Sequence, residues 1–269
     1  MKRVLITGCS SGFGRAMASK FLARGWEVIA TARDPRRVDL APHPHLTVRK
    51  LDVTAPADRS LPDLDRLDCL VNNAGYALFG AVEDLDEDQL RAQMETNFTA
   101  VVLLTARLLP LLRASQGSVV NISSVMGWMT FPLSSAYCAS KFALEGWAEA
   151  LAFELDPHGV RVYLVEPGGH RTAFGANIQW GRGATPAYAG QTAAYHRLRA
   201  RIVGRPGAAG PDRVARLTAH LAESRSRTLR HPVGLARVQR WYDRLVPEWL
   251  RFLLLRPAFR RLLPVGTTG

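Results

Sequence analysis

The first 25 residues constrain the fold of this chain most strongly. Val4-Leu5-Ile6 is a short apolar run, typical of a strand buried in a parallel sheet. The glycine-rich segment 7–14 predicts a tight turn, and residues 16–24 have helical composition with a stop signal at Gly25. A strand, a glycine-rich turn and a helix in this order predict the start of a βαβ unit.

Apolar runs with β-strand character recur along the chain and alternate with helical segments. We predict further strands at 26–32, 46–51, 67–71, 118–122 and 160–165, and helices at 85–112 (two helices meeting near Asn97) and 136–155. Strands that alternate with helices form parallel sheets with right-handed crossovers. The sequence therefore predicts an α/β fold with helices on both faces of the sheet. Its ligand is expected at the carboxyl ends of the strands.

Three glycines in the predicted turn form the pattern T-G-x-x-x-G-x-G: Gly8, Gly12 and Gly14. Glycines let the backbone turn sharply and approach a pyrophosphate, whose charge then lies at a helix N-terminus. Turns are often rich in glycine, and this spacing differs from the usual G-x-G-x-x-G, so the pattern alone is weak evidence. Its position between a strand and a helix favours nucleotide binding.

A second signal is Tyr137-Cys-Ala-Ser-Lys141. Residues four apart lie on one face of a helix, and an ammonium close to a phenol is expected to lower its pKa, which suits proton transfer. A lone tyrosine–lysine pair is more often a solvated or packing pair. Ser124, 13 residues before Tyr137 and at the end of a predicted strand, favours chemistry because its hydroxyl could bind a carbonyl oxygen.

Together these motifs resemble the short-chain dehydrogenase/reductase family over about residues 2–235. The resemblance rests on the turn motif, on Ser124 with Tyr137-x-x-x-Lys141, and on Asn72-Asn-Ala-Gly75, Asn97, Pro167-Gly168 and Thr172. It implies a Rossmann-type, doubly wound parallel sheet in a single domain over 1–235, with a substrate lid at about 173–205. Residues 236–269 are then a C-terminal helical extension.

The resemblance also implies a role for each matching residue. Tyr137 is the acid/base, Lys141 tunes it and binds the nicotinamide ribose, Ser124 polarises the substrate oxygen, and Asn97 supports a proton relay. Two of these residues have alternative interpretations. Asn97 could be a helix cap without a catalytic role, and Asp52 could be an ordinary turn residue at the end of a strand. The implied cofactor-binding set is Gly8, Ser10, Ser11, Gly12, Phe13, Gly14, Arg33, Asp52, Val53, Asn73, Ala74, Gly75, Tyr137, Lys141, Pro167, Gly168 and Thr172.

The end of the second predicted strand indicates which nicotinamide cofactor is preferred. An acidic residue there would bind the ribose hydroxyls and repel a 2′-phosphate, but this chain has Ala32 followed by Arg33. A guanidinium suits a phosphate, so NADP(H) is expected, with NAD(H) as the alternative. Arg15 and Arg36 are candidate helpers, and Asp34 is the one contrary signal.

Aromatic residues surround the predicted substrate site. Phe174 and Trp180 lie in the lid, and Met126 and Trp128 lie between Ser124 and Tyr137. Large aromatic side chains bury apolar substrate surface well, so we expect a lipophilic substrate: a steroid, a retinoid, or a long-chain or aromatic ketone or alcohol. The alternative is that some of them only pack the core. His170, between Pro-Gly and Thr172, is interpreted as a loop histidine.

Net charge and cysteine content limit the other classes of protein that this chain could belong to. The net charge is +12, but no basic–aromatic motif indicates nucleic-acid binding. The three cysteines are scattered, without disulfide or metal-ligand spacing, and the short apolar N-terminal run does not predict a signal peptide, so we expect a cytoplasmic protein without a metal. No segment approaches the roughly 20 apolar residues of a membrane span.

The family resemblance favours a homodimer or homotetramer. A non-catalytic nucleotide-binding regulator of the same fold is the alternative function.

The extension, residues 236–269, is basic and amphipathic. Residues 225–269 contain ten arginines and only two acidic residues, Asp243 and Glu248. Apolar residues in the extension recur at helical spacing. Pro247 and Pro257 are expected to divide it into short helices. Three interpretations remain: packing on its own subunit or a partner, which is favoured; peripheral contact with an anionic membrane, which is less favoured; or a cover over the substrate mouth.

Overall fold

Parallel strands dominate the structure. The computed structural model describes residues 1–56, 61, 64–168, 177–203 and 210–264. Within these residues the strands are β1 (Arg3–Ile6), β2 (Glu27–Ala32), β3 (Leu46–Lys50), β4 (Cys69–Asn72), β5 (Ala77–Phe79), β6 (Ser118–Ile122), β7 (Arg161–Pro167), β8 (Ile178–Trp180) and β9 (Arg230–Val233). The α-helices are α1 (Gly12–Leu22), α2 (Glu87–Met94), α3 (Ala100–Ser115), α4 (Ser135–Leu155), α5 (Ala189–Val203), α6 (Asp212–Glu223), α7 (Ala236–Leu245) and α8 (Glu248–Leu262).

The main sheet has the strand order β3-β2-β1-β4-β6-β7-β9, with every neighbouring pair parallel. Leu5 of β1 lies opposite Ile29 of β2 on one side and Leu70 of β4 on the other. The chain therefore builds outward from β1 in one direction and then returns to build in the other. The carboxyl ends of β1 and β4 flank the point of reversal, where open α/β sheets bind ligands.

Helices cover both faces of this sheet. Because successive strand residues point to opposite faces, Val4 and Ile6 join a core with α1 and α6, whereas Leu5 joins a core with α3 and α4. Phe21 is fully buried in the first core and Leu104 is 1% exposed in the second. The predicted α/β, doubly wound sheet is confirmed.

The helical segment between β5 and β6 is divided as the sequence predicts. α2 begins with a capping box between Asp86 and Gln89, and α3 ends at Ser115. Between them, Glu95–Thr99 forms one turn of π-helix that contains Asn97. Such turns widen the helix locally and often occur at functional sites.

The same continuous helical stretch, Glu87–Ser115, is the one membrane-span candidate in the described part of the chain. Its 29 residues are long and apolar enough by length and composition. The expectation that no segment approaches a span was therefore too strong. α3 nevertheless packs Leu104, Leu108 and Leu112 into the core beneath the sheet, which accounts for its apolar composition.

Two strand pairings were not predicted. β5 and β8 form a separate two-stranded parallel sheet in which Leu78 lies opposite Gln179. β9 adds an edge strand to β7, with Arg230 opposite Leu164. β5 and β8 are three residues long and about a hundred residues apart, so no local pattern in the sequence indicates their pairing.

The C-terminal extension is helical, as predicted, but it is divided only once. Pro247 separates α7 from α8, whereas Pro257 lies inside α8. The prediction that Pro257 ends a helix is wrong. An interior proline removes one backbone hydrogen bond. Contacts beyond it, of Phe259 with Phe131 and of the buried Leu263 with the body, account for the continuation of the helix.

Candidate active site

The glycine-rich turn adopts a backbone that needs glycine. Gly8 has φ +73° and Gly12 has φ +57°, both in the left-handed region. Gly14 is required for a different reason: a Cβ atom there would lie 2.2 Å from the Gly8 carbonyl oxygen. The first turn of α1 is thereby packed directly against the loop that leaves β1, as expected of a cradle for a pyrophosphate.

Asn73 fastens this turn to the end of β4. Its Nδ2 donates to the carbonyl oxygens of Thr7, at 2.7 Å, and Gly8, at 3.1 Å. In return the Thr7 hydroxyl accepts from the backbone amides of Asn73 and Ala74, both at 2.9 Å. The Asn-Asn-Ala-Gly motif thus holds the two loops at the point of strand reversal.

A groove of about 390 Å³ opens above these loops. Many of the residues assigned to the cofactor from the sequence line it together: Gly8, Ser10, Ser11, Gly12, Phe13, Arg33, Asp52, Val53, Asn73, Ala74 and Gly75. Gly14 lies beneath the turn, and Tyr137, Lys141, Pro167 and Gly168 are not among the lining residues. Thr172 falls outside the described residues.

Some of the lining was missed by the sequence analysis. Tyr76 and Thr96 also line the groove, and Asn177, Ile178 and Gln179 line it from the segment that forms β8. Tyr76 directly follows the Asn-Asn-Ala-Gly motif, so its position could have been anticipated. The contribution of residues 177–179 could not, because it depends on the pairing of β5 with β8.

Charged residues at the end of β2 are arranged unequally around the groove. Arg33 is exposed and lines it, whereas Asp34 does not. The Asp34 carboxylate accepts from Arg36 Nε at 2.9 Å and from the Arg36 amide at 3.1 Å, and this pairing lowers its pKa. Arg15, the other candidate helper, pairs with Asp39 at 2.9 Å. Arg15 and Arg36 are therefore both engaged with carboxylates.

Asp52 forms the turn that the alternative interpretation expected, and it also lines the groove. Its Oδ1 accepts from the Thr54 amide at 3.0 Å and from the Thr54 hydroxyl at 2.8 Å. Burial acts to raise the pKa of this carboxyl, but the hydrogen bonds from Thr54 and the charge of Arg33 outweigh it, and the pKa is lowered. Asp52 is therefore a fixed anion beside Val53 at the groove wall.

Ser124, Tyr137 and Lys141 come together at the carboxyl end of β6. The hydroxyls of Ser124 and Tyr137 share a hydrogen bond, and the Ser124 oxygen also accepts from the Met126 amide at 3.1 Å. Lys141 Nζ lies 5.9 Å from the centre of the Tyr137 ring and donates to the Ile122 carbonyl oxygen at 2.9 Å. The one-turn spacing on α4 places both side chains on the face that looks toward Ser124.

Asn97 connects the π-helical turn to this group. Its Nδ2 donates to the Tyr76 carbonyl at 2.9 Å and to the Ser140 hydroxyl at 3.1 Å, and its Oδ1 accepts from the Tyr76 amide at 3.2 Å. Ser140 in turn donates to the Tyr137 carbonyl at 2.8 Å. Asn97 is 1% exposed and lies inside the helical segment, so the helix-cap alternative does not describe it.

Burial sets the protonation of the tyrosine and the lysine. It raises the pKa of the Tyr137 phenol, and the hydrogen bond from Ser124 acts in the opposite direction. The expectation of a lowered phenol pKa is therefore wrong for this structure. Burial lowers the pKa of Lys141 to about 8, against the opposing charge of Glu145. At neutral pH the phenol carries its proton and the ammonium its charge.

An apolar cluster surrounds the phenol. The ring of Phe79 lies 6.0 Å from that of Tyr137, 5.8 Å from Trp180 and 5.5 Å from Tyr195. Met126 and Trp180, both predicted to contact substrate, belong to this cluster. Phe79 was missed, although the apolar run 77–79 after the Asn-Asn-Ala-Gly motif could have indicated it.

The other predicted substrate residues are placed differently. The Arg240 guanidinium of α7 lies 4.9 Å from the centre of the Trp128 ring, so Trp128 contacts the extension. Phe131, in the same loop, packs against Phe259 of α8. Phe174 and His170 fall outside the described residues. In the described part of the chain, no group of three or more His, Cys, Asp or Glu is placed to hold a metal.

The glycine turn, the Asn73 loop that fastens it and the Ser124–Tyr137–Lys141 group all lie within residues 2–182. Residues 2–182 match the sequence family of short chain dehydrogenases. The chain belongs to this family. This short-chain dehydrogenase is therefore a nicotinamide-dependent oxidoreductase that acts on CH–OH or C=O groups.

Individual relatives agree with this assignment. The uncharacterized oxidoreductase YbbO of Escherichia coli K12 is 36% identical over 242 residues, covering 87% of this chain and 86% of YbbO. The 3-ketodihydrosphingosine reductase of Bacteroides thetaiotaomicron is 39% identical over 178 residues, 65% of this chain and 66% of that protein. The crystal structure of a short-chain dehydrogenase from Streptomyces avermitilis superposes with a TM-score of 0.82 at 35% identity, covering 97% of this chain and 99% of that one.

Proposed function

We propose that this short-chain dehydrogenase exchanges a hydride between NADP(H) and the carbonyl or alcohol carbon of a lipophilic substrate, with Tyr137 as the acid/base. The observation that carries the proposal is the position of the Tyr137 hydroxyl, hydrogen-bonded to Ser124 and enclosed by aromatic rings. A polar, proton-bearing group within an apolar wall suits a substrate that is apolar apart from its reacting oxygen.

The residues present fit a nicotinamide dinucleotide. The close approach of Gly14 to the Gly8 carbonyl leaves the N-terminus of α1 open to a pyrophosphate, and Asp52 and Asn73 form the walls of the groove. When bound, the nicotinamide supplies or accepts the hydride. The preference for NADP(H) is supported by Arg33, exposed at the groove, and by the engagement of Asp34 with Arg36.

The chain's own side chains handle the proton. During reduction, the Ser124 hydroxyl orients and polarises the carbonyl oxygen, and the Tyr137 hydroxyl donates its proton as the alkoxide forms. The phenolate that remains develops its charge within reach of the Lys141 ammonium, which stabilises it. Asn97 positions this machinery through Ser140 and the backbone beside it. Oxidation of an alcohol reverses each step.

The substrate class is supported by the cluster of Phe79, Trp180, Tyr195 and Met126 around the phenol. It is also supported by the relative named 3-ketodihydrosphingosine reductase, whose substrate is a ketone on a sphingoid base. We infer that this chain takes a comparable lipophilic ketone or alcohol, with steroid, retinoid and aromatic compounds as the other members of the class.

We further propose a cytoplasmic homodimer or homotetramer. Cys9, Cys69 and Cys138 are all free and buried, which suits a reducing compartment. The oligomeric state is supported by membership of the short-chain dehydrogenase family, which favours dimers and tetramers.

Tyr137→Phe tests the mechanism. The change keeps the ring and removes the transferable proton, so turnover should fall by at least about 10²-fold while the dissociation constant for NADPH changes little. Turnover is followed by the absorbance of reduced nicotinamide with a panel of ketones and alcohols. Tyr242→Phe, which removes the hydroxyl of an exposed tyrosine on α7, is the control. Near-normal turnover of Tyr137→Phe would exclude the proposed role.

A further inference from the structure

The C-terminal extension exposes an unusual concentration of apolar side chains. Of the 17 large apolar residues exposed in the described part of the chain, ten lie between residues 235 and 262. They are Leu235, Val238, Trp241, Tyr242, Leu245, Trp249, Phe252, Leu253, Leu254 and Leu262. Clustered exposed apolar residues mark interaction surfaces on soluble proteins, whereas scattered ones do not.

Most of these residues are spaced to share a helix face. In α7, Val238, Trp241 and Leu245 follow the i, i+3, i+7 pattern and are each about two-thirds exposed or more, at 69%, 66% and 71%. In α8, Trp249, Phe252 and Leu253 follow the i, i+3, i+4 pattern. We call these six residues the C-terminal face.

The C-terminal face is exposed although the two helices are attached to the body. Ala236 and Leu263 are buried at the two ends of the extension, and Phe259 packs on Phe131. Asp243 of α7 forms an ion pair with Arg251 of α8. The helices therefore pack inward with other side chains and leave the apolar face toward solvent.

Arginines accompany the apolar residues of this face. Arg256 and Arg260 lie seven and eleven residues after Trp249 and so extend its face along α8. The Arg256 guanidinium lies 5.3 Å from the centre of the Phe252 ring. Asp243, one of the two acidic residues in 225–269, is paired with Arg251. The surface is thus both apolar and strongly cationic.

We propose that the C-terminal face docks on the surface of an anionic phospholipid bilayer. Tryptophan and leucine side chains would enter the boundary between headgroups and acyl chains, while arginines would bind lipid phosphates. α8 has 15 residues interrupted by arginines, too short and too charged to span a bilayer. The sequence alone favours packing of the extension on the protein over contact with a membrane. In the structure the extension packs on the body through Phe259 and Leu263 and also exposes a cationic apolar face.

A second copy of the chain fits this face less well. A two-fold interface brings the same patch of both subunits together, so it would set one arginine-rich extension against another. Like charges across an interface oppose association. Anionic lipid supplies the complementary charge.

The docked face would border the apolar cluster of the active site. Leu263 belongs to that cluster together with Tyr137, and α8 contacts the loop that follows Ser124 through Phe131. Entry of substrate from the bilayer would follow; this step rests on the proposed lipophilic substrate, whereas docking itself does not.

Vesicle flotation of the full-length protein tests docking without substrate. At about 0.15 M salt, the protein should float with phosphatidylcholine vesicles that contain phosphatidylglycerol and much less with phosphatidylcholine alone. Trp249→Gln/Phe252→Gln should weaken binding at least about ten-fold through loss of apolar contact. Arg256→Gln/Arg260→Gln should weaken it about 30-fold, but only for the anionic vesicles. Val82→Gln/Phe153→Gln, equally exposed elsewhere, should bind normally.

Three results would overturn the proposal. The first is that the intact protein stays in solution with anionic vesicles. The second is that the intact protein floats but both C-terminal double variants float as well as it does. Alternatively, light scattering would show that Trp249→Gln/Phe252→Gln changes the oligomer size, which would make the face a contact between copies. Turnover of a small water-soluble substrate, unchanged in these variants, verifies that they fold.

Discussion

Two helical glycines should respond in opposite ways to the same substitution. Gly14 lies in the first turn of α1 and Gly146 in the middle of α4, and neither has a positive φ. A Cβ at Gly14 would lie 2.2 Å from the Gly8 carbonyl oxygen and 2.7 Å from Asn73 Nδ2, whereas at Gly146 it would meet nothing within 4 Å. Alanine therefore clashes at one position and finds open space at the other.

The structure sets the magnitude of each effect. At Gly146, alanine should stabilise the protein by about 0.5–1 kcal/mol, because it has the higher helix propensity. At Gly14, the clash of the added Cβ with the Gly8 carbonyl oxygen outweighs the same gain in helix propensity, because a backbone atom cannot move aside as a side chain can. Overpacking typically costs about 1–3 kcal/mol, so a net loss of about 1–2 kcal/mol is expected. Displacement of the turn should also weaken NADPH binding.

Urea unfolding and calorimetric titration with NADPH measure the two effects separately. Gly146→Ala should unfold at higher urea concentration and bind NADPH like the wild type. Gly14→Ala should unfold at lower urea concentration and bind NADPH more than about ten-fold more weakly, the equivalent of about 1.4 kcal/mol. If Gly14→Ala proves as stable and as tight in binding as the wild type, the glycine cradle described above is not the cofactor site.

Three further predictions follow from the cofactor groove, the buried lysine and the aromatic cluster. Arg33→Ala should weaken NADPH binding by at least about ten-fold and NADH binding little, as measured by both dissociation constants; equal losses would contradict the 2′-phosphate assignment. Burial lowers the pKa of Lys141 from 10.5 to about 8, so the penalty for the charged form is present below pH 8 and is relieved as pH rises toward 10.5. The stability of the wild type relative to Lys141→Met should therefore increase over that interval, and a flat difference in urea unfolding would argue against it. Trp180→Ala should raise the Michaelis constant of bulky apolar substrates about ten-fold more than that of small ones, with Phe153→Ala as the exposed control; a uniform increase would remove Trp180 from the substrate site.

The sequence predicts those parts of the molecule that depend on short-range patterns. β1, β2, β6 and α4 follow from apolar runs and helical periodicity, and the division of the helix at Asn97 was placed correctly. The glycine turn and the Ser124–Tyr137–Lys141 group are also local, because each depends on residues close in sequence or on one helix face. The parallel, doubly wound character of the sheet followed from the alternation of strands and helices and the general rules for βαβ connections, whereas the strand order came from the structure.

The features that the sequence did not reveal depend on contacts between distant segments. Whether Asp34 opposes a 2′-phosphate cannot be judged from its position after Arg33, since its pairing with Arg36 appears only in the folded turn. Pro257 lies in a helix because Phe259 beyond it packs on the body. The phenol pKa was misjudged because proximity to Lys141 is visible in the sequence, whereas burial of Tyr137 is not.

The same distinction separates the two halves of the site. The cofactor half is built from backbone at the ends of β1 and β4, so its shape is fixed by glycines and by Asn73. The proposed substrate half is the apolar cluster, whose side chains come from β5, β8, α5 and the loop after Ser124 and meet only through tertiary packing. Trp128 shows the consequence: its sequence position suggests a substrate contact, yet its ring lies against Arg240 of the extension. Because α7 and α8 contact this loop through Arg240 and Phe259, we expect changes in these contacts to affect bulky substrates and to leave the cofactor groove unaffected. Under the proposed function, we therefore expect the C-terminal helices to influence substrate specificity through these contacts, whereas the reaction class depends on Ser124, Tyr137 and Lys141.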